Sequence, residues 1–466
     1  MRTLTSLSSS SAMFLLDGVG IVLFWTPALL LLSWASAFSP RQTATAGLLF
    51  PLLQLIGLYA LGLYRRDVVI ELRRSASRIP LVASAAAAAA ALLLGLVGLP
   101  LTGVTGQIPL PIMAACCFVT AGVSARFTFD ALRRRGLFCR RVLIVGAGRR
   151  AWDLVWMLRN EGINLQYKVA FVHDTALGPI DPRLTQDDFG PILTLGEDSF
   201  LGVAQRFAAD QIVIAPDERR GLALEGLLDC KIAGFPVQQY LTFMEKEVRR
   251  VDLKRMDLSW LLYSEGFYFG LFDRVAKRAL DIMIASVILL LFLPLLTVAM
   301  LAIKLEDGGP IFYHQERVTR LGRIFTIRKL RTMRVNAEAD GAVWAAQKDS
   351  RITRVGAFFR RTRIDELPQL FNILRGEMSF VGPRPERPAF VAELAAAIPL
   401  YHERHAAKAG LTGWAQVNYP YGASIDDARS KLSYDLYYVK NFSIFLDLLI
   451  ILQTIRVVLW PGNTVR

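Results

Sequence analysis

Long apolar runs separated by short basic segments occupy the first quarter of the chain, and this pattern predicts four membrane-crossing helices. The runs are Met13 to Ser33, Ala46 to Tyr64, Leu81 to Leu101 and Ile108 to Ala125, each about the length needed to cross ~30 Å of hydrocarbon. Loop charges set their orientation, because basic segments stay on the cytoplasmic side. Arg65, Arg66, Arg73, Arg74 and Arg78 follow the second run, and Arg133, Arg134, Arg135, Arg140 and Arg141 follow the fourth. The loop Thr102 to Gln107 carries no charge, and the loop between the first two runs has only Arg41. The N-terminus and everything after Ala125 are therefore expected inside. Asp17, near the start of the first run, argues against a cleaved signal peptide and is expected to snorkel to the interface. The alanines from Ala85 to Ala91 suit close helix packing.

Beyond Arg141 the periodicity changes. Val142-Leu-Ile-Val145 reads as a short buried strand, and Gly146-Ala-Gly148-Arg-Arg-Ala151 leads from it into the amphipathic stretch Trp152 to Leu158. That is the strand, glycine loop and helix of a dinucleotide fingerprint. Val169 to Val172 and Gln211 to Ile214 are further strand candidates, so residues 138–262 are expected to form a Rossmann-like α/β module. Asp174 comes 28 residues after Gly146, beyond the ~20 usual for a ribose-binding acid. A structural or dimerising module is therefore preferred to a nucleotide-binding one.

A fifth apolar run, Ile282 to Ile303, has Pro294 near its middle, where the ring removes an amide donor and favours a kink. Arg274, Lys277 and Arg278 precede the run, and Lys304, Arg317, Arg320 and Arg323 follow it. Both ends thus carry the cytoplasmic charge pattern. A helix that dips in, breaks at Pro294 and returns satisfies both observations, whereas a full crossing would put the rest of the chain outside. Ser443 to Trp460 is apolar but interrupted by Asp447, Gln453 and Arg456, the pattern of an interfacial or packed amphipathic helix. The expected fold class is membrane α/β in three parts. Four transmembrane helices occupy residues 1–130 and the Rossmann-like module 138–262. A C-terminal α/β domain follows in 272–466, with a re-entrant helix at 282–303 and amphipathic interfacial helices.

Composition narrows the function. Of 466 residues, 53% are hydrophobic and 20% charged, too apolar for an ordinary soluble enzyme. Net charge is +14, and a membrane surface with a phosphate-rich substrate explains it more economically than nucleic acid. Cys116 and Cys117 are adjacent while Cys139 and Cys230 stand alone, so no zinc-binding spacing exists. His402 and His405 share a helical spacing without a third ligand, and a surface or interface role is preferred for them. Trp414, in a glycine-punctuated loop, is expected to pack rather than to stack on a base.

The chemistry lies in Arg360-Arg-Thr-Arg-Ile-Asp365-Glu366-Leu-Pro368-Gln-Leu-Phe-Asn-Ile-Leu-Arg375-Gly376. Leu367, Leu370, Phe371 and Leu374 predict a short helix with one buried face, with Pro368 in its first turn and Gly376 as its stop. Asp365 then falls at or beside the N-cap. An acid there has a purely structural explanation as a cap, but the surroundings favour a functional one. Three arginines precede the pair, Lys329 and Arg331 lie upstream, and Gly382-Pro-Arg384-Pro385 lies downstream. Two acids among so many cations suggest phosphoryl chemistry. The acids could hold Mg²⁺, the cations could neutralise phosphate oxygens, and one carboxylate could attack phosphorus.

At these residues the chain resembles the bacterial sugar transferases, the monotopic phosphoglycosyl transferases that begin exopolysaccharide and O-antigen assembly. The motifs are Lys329-Leu-Arg-Thr-Met333, Ile364-Asp-Glu-Leu-Pro-Gln-Leu-Phe-Asn372, Met378-Ser-Phe-Val-Gly-Pro-Arg-Pro385, Gly410-Leu-Thr-Gly-Trp-Ala-Gln-Val-Asn418 and Tyr434-Asp-Leu-Tyr-Tyr-Val-Lys-Asn441. They cover residues 272 to 466, and the four spans plus Rossmann-like module resemble the family's long form by architecture. The resemblance implies transfer of a hexose-1-phosphate from a UDP-sugar, UDP-glucose or UDP-galactose, to undecaprenyl phosphate at the cytoplasmic face of the inner membrane, with release of UMP. It implies Asp365 as the nucleophile of a covalent phosphosugar intermediate. Glu366 would assist it with Mg²⁺ or with proton movement. Lys329, Arg331, Arg360 and Arg384 would bind phosphate or substrate together with Asp435, and Pro294 would break the re-entrant helix. Smaller members place Ser before that proline, where this chain has Leu293. Span packing and the central module are compatible with a homodimer.

Two other readings remain open at this point. A membrane-bound nucleotide-sugar dehydratase or epimerase can share the four spans and the module, but it needs a Tyr-x-x-x-Lys pair, and none of the 13 tyrosines has Lys four residues later. A non-catalytic scaffold of a polysaccharide assembly complex would leave the Asp-Glu pair without a role.

Overall fold

A computed structural model describes residues 9–35, 39–64, 72–96, 110–135, 139–160, 167–186, 189–195, 198–218, 222–256, 258–267, 270–335, 351–420, 422 and 424–459. The loop Thr102 to Gln107 and the arginines Arg65 and Arg66, part of the basis for the predicted orientation, lie outside the described residues. The chain divides into two compact units, Met1–Val248 and Arg249–Arg466.

The first unit begins with helices α1 (Ser9–Ala35), α2 (Pro40–Ala60), α3 (Leu72–Leu96) and α4 (Leu110–Arg134). Together with one helix of the second unit they make five, among the described residues, that are long and apolar enough to cross a membrane. Helix α2 starts where the sequence allows a tight start. Pro40 occupies its first position, and Ser39 and Gln42 exchange a reciprocal capping box. In the bundle core Trp25 lies between Phe50 and Phe118, with ring centroids 5.4 Å away on both sides. Ala83, Ala87 and Ala90 are buried against the same cluster, so the alanine run does serve close packing.

Asp17 does not snorkel. It is buried and ion-paired with Arg126 of α4, whose Nε also donates to Ser75 Oγ at 3.1 Å. Arg126 lies just past the fourth apolar run, within reach of Asp17. An unpaired charge in the bundle is costly enough to favour pairing over exposure.

The rest of the unit is an α/β module of β1 (Arg140–Val145), α5 (Arg149–Asn160), β2 (Tyr167–His173), β3 (Ile192–Thr194), α6 (Phe200–Phe207), β4 (Gln211–Ile214), α7 (Leu224–Ile232), β5 (Val237–Gln239) and α8 (Tyr240–Val248). The strand order is β3-β2-β1-β4-β5, and every pair is parallel. Val142 to Val145 are fully buried, as expected of a central parallel strand covered on both faces. The order reverses between β1 and β4, the switch point of a doubly wound sheet.

The second unit holds α9 (Leu271–Asp307), β6 (Phe312–Val318), β7 (Ile324–Leu330), α10 (Arg354–Thr362), α11 (Gln369–Arg375), β8 (Ser379–Val381), α12 (Pro388–Ala397), β9 (Gly410–Thr412), α13 (Trp414–Asn418), α14 (Ile425–Lys440) and α15 (Ile444–Leu459). β6 and β7 form an antiparallel hairpin, while β8 pairs β9 in parallel. Residues 249–262, expected to belong to the α/β module, group here instead. The backbone explains the shift: Val251 N donates to Ser433 O, and Arg249 O accepts from Trp414 Nε1 at 2.8 Å. Trp414 is buried and stacked on Tyr437, so it packs as anticipated.

Both ends of α9 pack on this unit. Near its start, Lys277 reaches Val381 O and Asp447, Arg278 donates to Ile373 O and Leu374 O at 2.6 and 2.7 Å, and Asp281 accepts from Ser379 and Phe380. In its second half, Leu296, Ala299 and Ile303 share a core with Leu330, Phe359 and Ile364. Between these contacts Val287, Leu290 and Leu291 are exposed. Helix α15 is two-faced: Leu446, Leu449 and Ile450 are buried, while Phe445, Leu448, Ile455 and Val458 are exposed. Asp447, which interrupts the apolar run, sits on the packed face, 2.7 Å from Lys277 and 2.8 Å from the Tyr438 hydroxyl.

Candidate active site

The Asp-Glu pair sits in a turn rather than at a helix cap. Helix α10 ends at Arg363, whose left-handed backbone (φ 60°) turns the chain into a 3₁₀ segment, Ile364–Glu366. A left-handed non-glycine residue costs of order 1 kcal/mol or more, so surrounding packing holds it there, with Ile364 buried beside it. Helix α11 begins only at Gln369 after Pro368, and Gly376 ends it at φ 80°. The predicted stop is therefore correct, but Asp365 lies a turn ahead of the helix. The buried face also differs, with Leu370, Asn372 and Ile373 inside and Leu374 half-buried.

Asn372 ties this segment to β7. It is fully buried, its Nδ2 donates to Thr326 O at 2.8 Å, and its Oδ1 accepts from Arg328 N at 3.2 Å. Strand β7 is thereby held against the Asp-Glu turn, and Lys329 Nζ comes 3.2 Å from Glu366 Oε1. Alternation along the strand sends Leu330 into the core while Ile327 and Lys329 line an open cleft.

The other walls of the cleft come from Arg317 on β6, from Arg384 after β8, and from Gln369. The loop carrying Arg384 lies so close to β9 that a Cβ on Gly382 would meet Lys408 O at 2.2 Å. Only glycine fits at that place.

Asp365 is buried, and its Oδ1 has no hydrogen-bond partner among the described residues. Burial, and then the neighbouring Glu366, push its carboxyl up to about 6, against the pull of Lys329, Arg363 and Arg360. Glu366 moves the other way. Burial opposes its ionisation, but Lys329, Arg384 and Arg363 together outweigh burial and hold it well below the usual range. The pair is thus differentiated: one ionised acid bound to lysine, and one buried acid that deprotonates just below neutrality.

The remaining expected site residues separate into two groups. Lys329 and Arg384 line the cleft, and Arg360 lies within electrostatic reach of Asp365 while its Nε donates to Thr332 Oγ1 at 2.9 Å. Arg331 is instead buried against Asp307 at the end of α9. Asp435 is buried 2.7 Å from Arg404, and Arg404 Nη2 donates to the Arg384 carbonyl at 3.0 Å. Asp435 and Arg404 thus brace the backbone at Arg384. Pro294 lies inside α9. His405 is buried rather than at a surface, and burial beside Arg404 lowers it to about 4.

Two cations escaped the sequence reading. Arg317 had been counted only as flanking charge, yet it lines the cleft, donates to Pro385 O at 2.9 Å, and keeps its buried Nε unpartnered among the described residues. Burial, with Arg384 and Arg387 nearby, lowers it to about 10 despite Glu386. Arg404 had been passed over between two histidines. Register in the hairpin could have found Arg317, since it alternates in step with Gln315 and Tyr313 on the strand facing Lys329.

A buried acid without a partner, an ionised acid beside a lysine, and three cations around an open cleft suit nucleophilic substitution at a phosphate. For a divalent cation the site offers two adjacent carboxylates. Among the described residues there is no group of three or more His, Cys, Asp or Glu. Mg²⁺ commonly uses one or two carboxylates and completes its shell with substrate phosphates and water, so the residues present fit it.

The family profile described as bacterial sugar transferase matches residues 272–461. A UDP-N-acetylgalactosamine-undecaprenyl-phosphate N-acetylgalactosaminephosphotransferase of Aeromonas hydrophila is 41% identical over 55% of this chain and 60% of its own length. An undecaprenyl-phosphate glucose phosphotransferase of Komagataeibacter xylinus is 38% identical over 50% of the chain and 42% of its own length. The chain therefore spans about half the length of these two relatives. It covers more of a UDP-glucose:undecaprenyl-phosphate glucose-1-phosphate transferase of Klebsiella pneumoniae, 34% identical over 74% of the chain and 73% of the relative. With a likeness that extends through both units of the fold and a profile match that takes in the Asp-Glu pair, the chain belongs to the bacterial sugar transferase family.

Proposed function

We propose that this chain transfers a hexose-1-phosphate from a UDP-hexose to undecaprenyl phosphate through a covalent intermediate on Asp365, the first step of a surface polysaccharide. The observation that carries the reading is the buried, unpartnered Asp365 Oδ1 beside the ionised Glu366–Lys329 pair. In the first half-reaction Asp365 attacks the phosphorus that bears the sugar. The bond from that phosphorus to the bridging oxygen breaks, and UMP leaves with the electron pair. In the second, an oxygen of undecaprenyl phosphate attacks the same phosphorus and the Asp365 carboxylate departs, leaving a lipid diphosphate sugar. Arg317, Lys329 and Arg384 hold the phosphate oxygens, and Arg360 adds positive potential at Asp365. Glu366, fixed by Lys329, together with Asp365 would hold Mg²⁺, which when bound neutralises phosphate charge as it develops.

The same reading places α9 as a helix that enters and leaves one face of the inner membrane, with the cleft on the cytoplasmic side. Arg278 reaches the carbonyls of Ile373 and Leu374, while Leu296 belongs to the core that Leu367 and Phe371 pack against. A straight helix would separate Arg278 and Leu296 by about 27 Å, whereas Leu367 to Leu374 spans only about 10 Å. That mismatch favours a bend between them. Pro294, which has no amide to give to Leu290, is the residue suited to it. The hydroxyl of Thr297 donates to Leu293 O at 3.0 Å, next to Pro294 in the continuous helix.

The test is UMP release by the full chain in nanodiscs with undecaprenyl phosphate, Mg²⁺ and a panel of UDP-glucose, UDP-galactose and UDP-N-acetylgalactosamine. Release with one donor that requires the lipid and falls at least about a thousandfold in Asp365→Asn is expected. Full activity in that variant would refute the covalent route, and no release with any donor would favour the scaffold.

A further inference from the structure

The strand-loop-helix unit at β1 and α5 has the outward form of a dinucleotide site. Gly146 adopts φ +109°, Gly148 follows, and Asp174 stands directly after β2, where an acid for a ribose hydroxyl belongs. In such a fold the pyrophosphate rests on the first free amides of the helix, over the second glycine. Those amides are not free here. Arg149 N donates to Asp217 Oδ2 at 2.7 Å, and Arg150 N donates to Asp217 Oδ1 at 2.9 Å. The space over the second glycine is taken by the same group, since a Cβ on Gly148 would meet Asp217 Oδ2 at 2.2 Å. Asp217 comes from the loop after β4, across the switch point, and Arg150 Nη1 closes the loop further by donating to Pro216 O at 3.1 Å.

We infer that the carboxylate of Asp217 occupies the pyrophosphate position from within, and that the module takes no dinucleotide. A carboxylate with two oxygens on two helix-end amides satisfies the same donors and the same dipole as a phosphate. A diphosphate arriving at this place would have to displace Asp217 or lie beside its negative charge. Asp174 does not compensate, because its Oδ1 already accepts from Ala176 N at 3.0 Å and caps its own turn. Gly148 gives the carboxylate the same close approach that a phosphate would need. Asp217 thereby straps the loop after β4 to α5, and the module acts as a rigid structural body.

The protein is titrated with NADH by fluorescence and with ADP by thermal shift, nucleotides with a base other than that of the UDP-sugar proposed for the cleft. No saturable binding is expected up to ~1 mM. Asp217→Ala is expected to lower the thermal transition, and inorganic phosphate at matched ionic strength is expected to raise it more in the variant than in the wild type, whose cationic cleft also takes the ion. Saturable binding of either nucleotide by the wild type would overturn the inference, whatever the variant does. So would a folded Asp217→Ala that phosphate stabilises no more than the wild type. If that variant does not fold, the wild-type titration decides alone.

Discussion

Replacing Lys329 by methionine should move the acid limb of the reaction toward alkaline pH, and Glu366→Gln should move it the other way. In the proposed reaction Asp365 attacks only as the carboxylate, so with its carboxyl raised to about 6 activity is expected above that pH and is lost as pH falls through it. Lys329 Nζ lies 3.2 Å from Glu366 Oε1, and at an effective dielectric of about 20 that attraction is about 5 kcal/mol. Solvent in the open cleft screens it. A third of it, about 1.7 kcal/mol, still exceeds the roughly 1.4 kcal/mol that one pKa unit represents, so the pair keeps Glu366 ionised beside Asp365.

Lys329 is also the foremost of the cations that draw Asp365 down. Its loss should therefore carry the limb upward from about 6, by on the order of one unit for the loss of a neighbouring cation. Glu366→Gln removes the negative neighbour and leaves the three cations, so its limb should fall by about one unit. Both variants will be slower, and the measurement is the shape of UMP release against pH, normalised to each variant's plateau. A limb that stays in place in both, or that moves in the same direction in both, would refute the assignment of the titrating group to Asp365.

Three further outcomes follow from buried contacts. Asp17→Asn or Arg126→Met leaves one charge uncompensated inside the helical bundle and should cost about 3–5 kcal/mol. The double variant Asp17→Leu/Arg126→Met should recover most of that in detergent unfolding, and a double no better than the singles would contradict the pairing. Asp435→Asn should raise KM for the UDP-sugar several-fold and leave the acid limb in place, because it frees Arg404 to drift from the Arg384 carbonyl; Arg404→Lys should do the same, since an ammonium cannot serve Asp435, Tyr401 and Arg384 together. In a cysteine-free background Phe272→Cys and Leu305→Cys, both exposed at the two ends of α9, should be labelled by an impermeant reagent from the same face of inverted vesicles. Labelling from opposite faces would make α9 a full crossing.

What could be read from the residues in advance was whatever is local. Four apolar runs became four helices, Val142 to Val145 became the central strand, and Gly376 ended α11, because length, periodicity and punctuation act over a few residues. The Asp-Glu pair was legible from its surrounding charges, but its backbone was not. The left-handed turn at Arg363 is paid for by tertiary packing around Ile364, and no propensity announces it. Long-range pairings were equally silent. Asp17 with Arg126, Asp447 with Lys277, and Asp435 with Arg404 each look like an isolated charge in an apolar or mixed run until the fold supplies the partner.

The two acids that a sequence reader would group together illustrate the same limit at closer range. Asp365 and Glu366 are neighbours with nearly equal intrinsic acidity, and nothing local assigns them different work. The fold does so with one contact: β7, pinned to α11 by Asn372, delivers Lys329 to Glu366 and leaves Asp365 Oδ1 without a partner. Glu366 becomes a fixed anion, and Asp365 a buried acid with one oxygen left over. Asp217 shows the reverse case, in which a glycine loop typical of phosphate binding is satisfied by the chain's own carboxylate. In both places the motif specifies which donors and acceptors are available, and a residue far away in sequence decides whether they are open to a ligand.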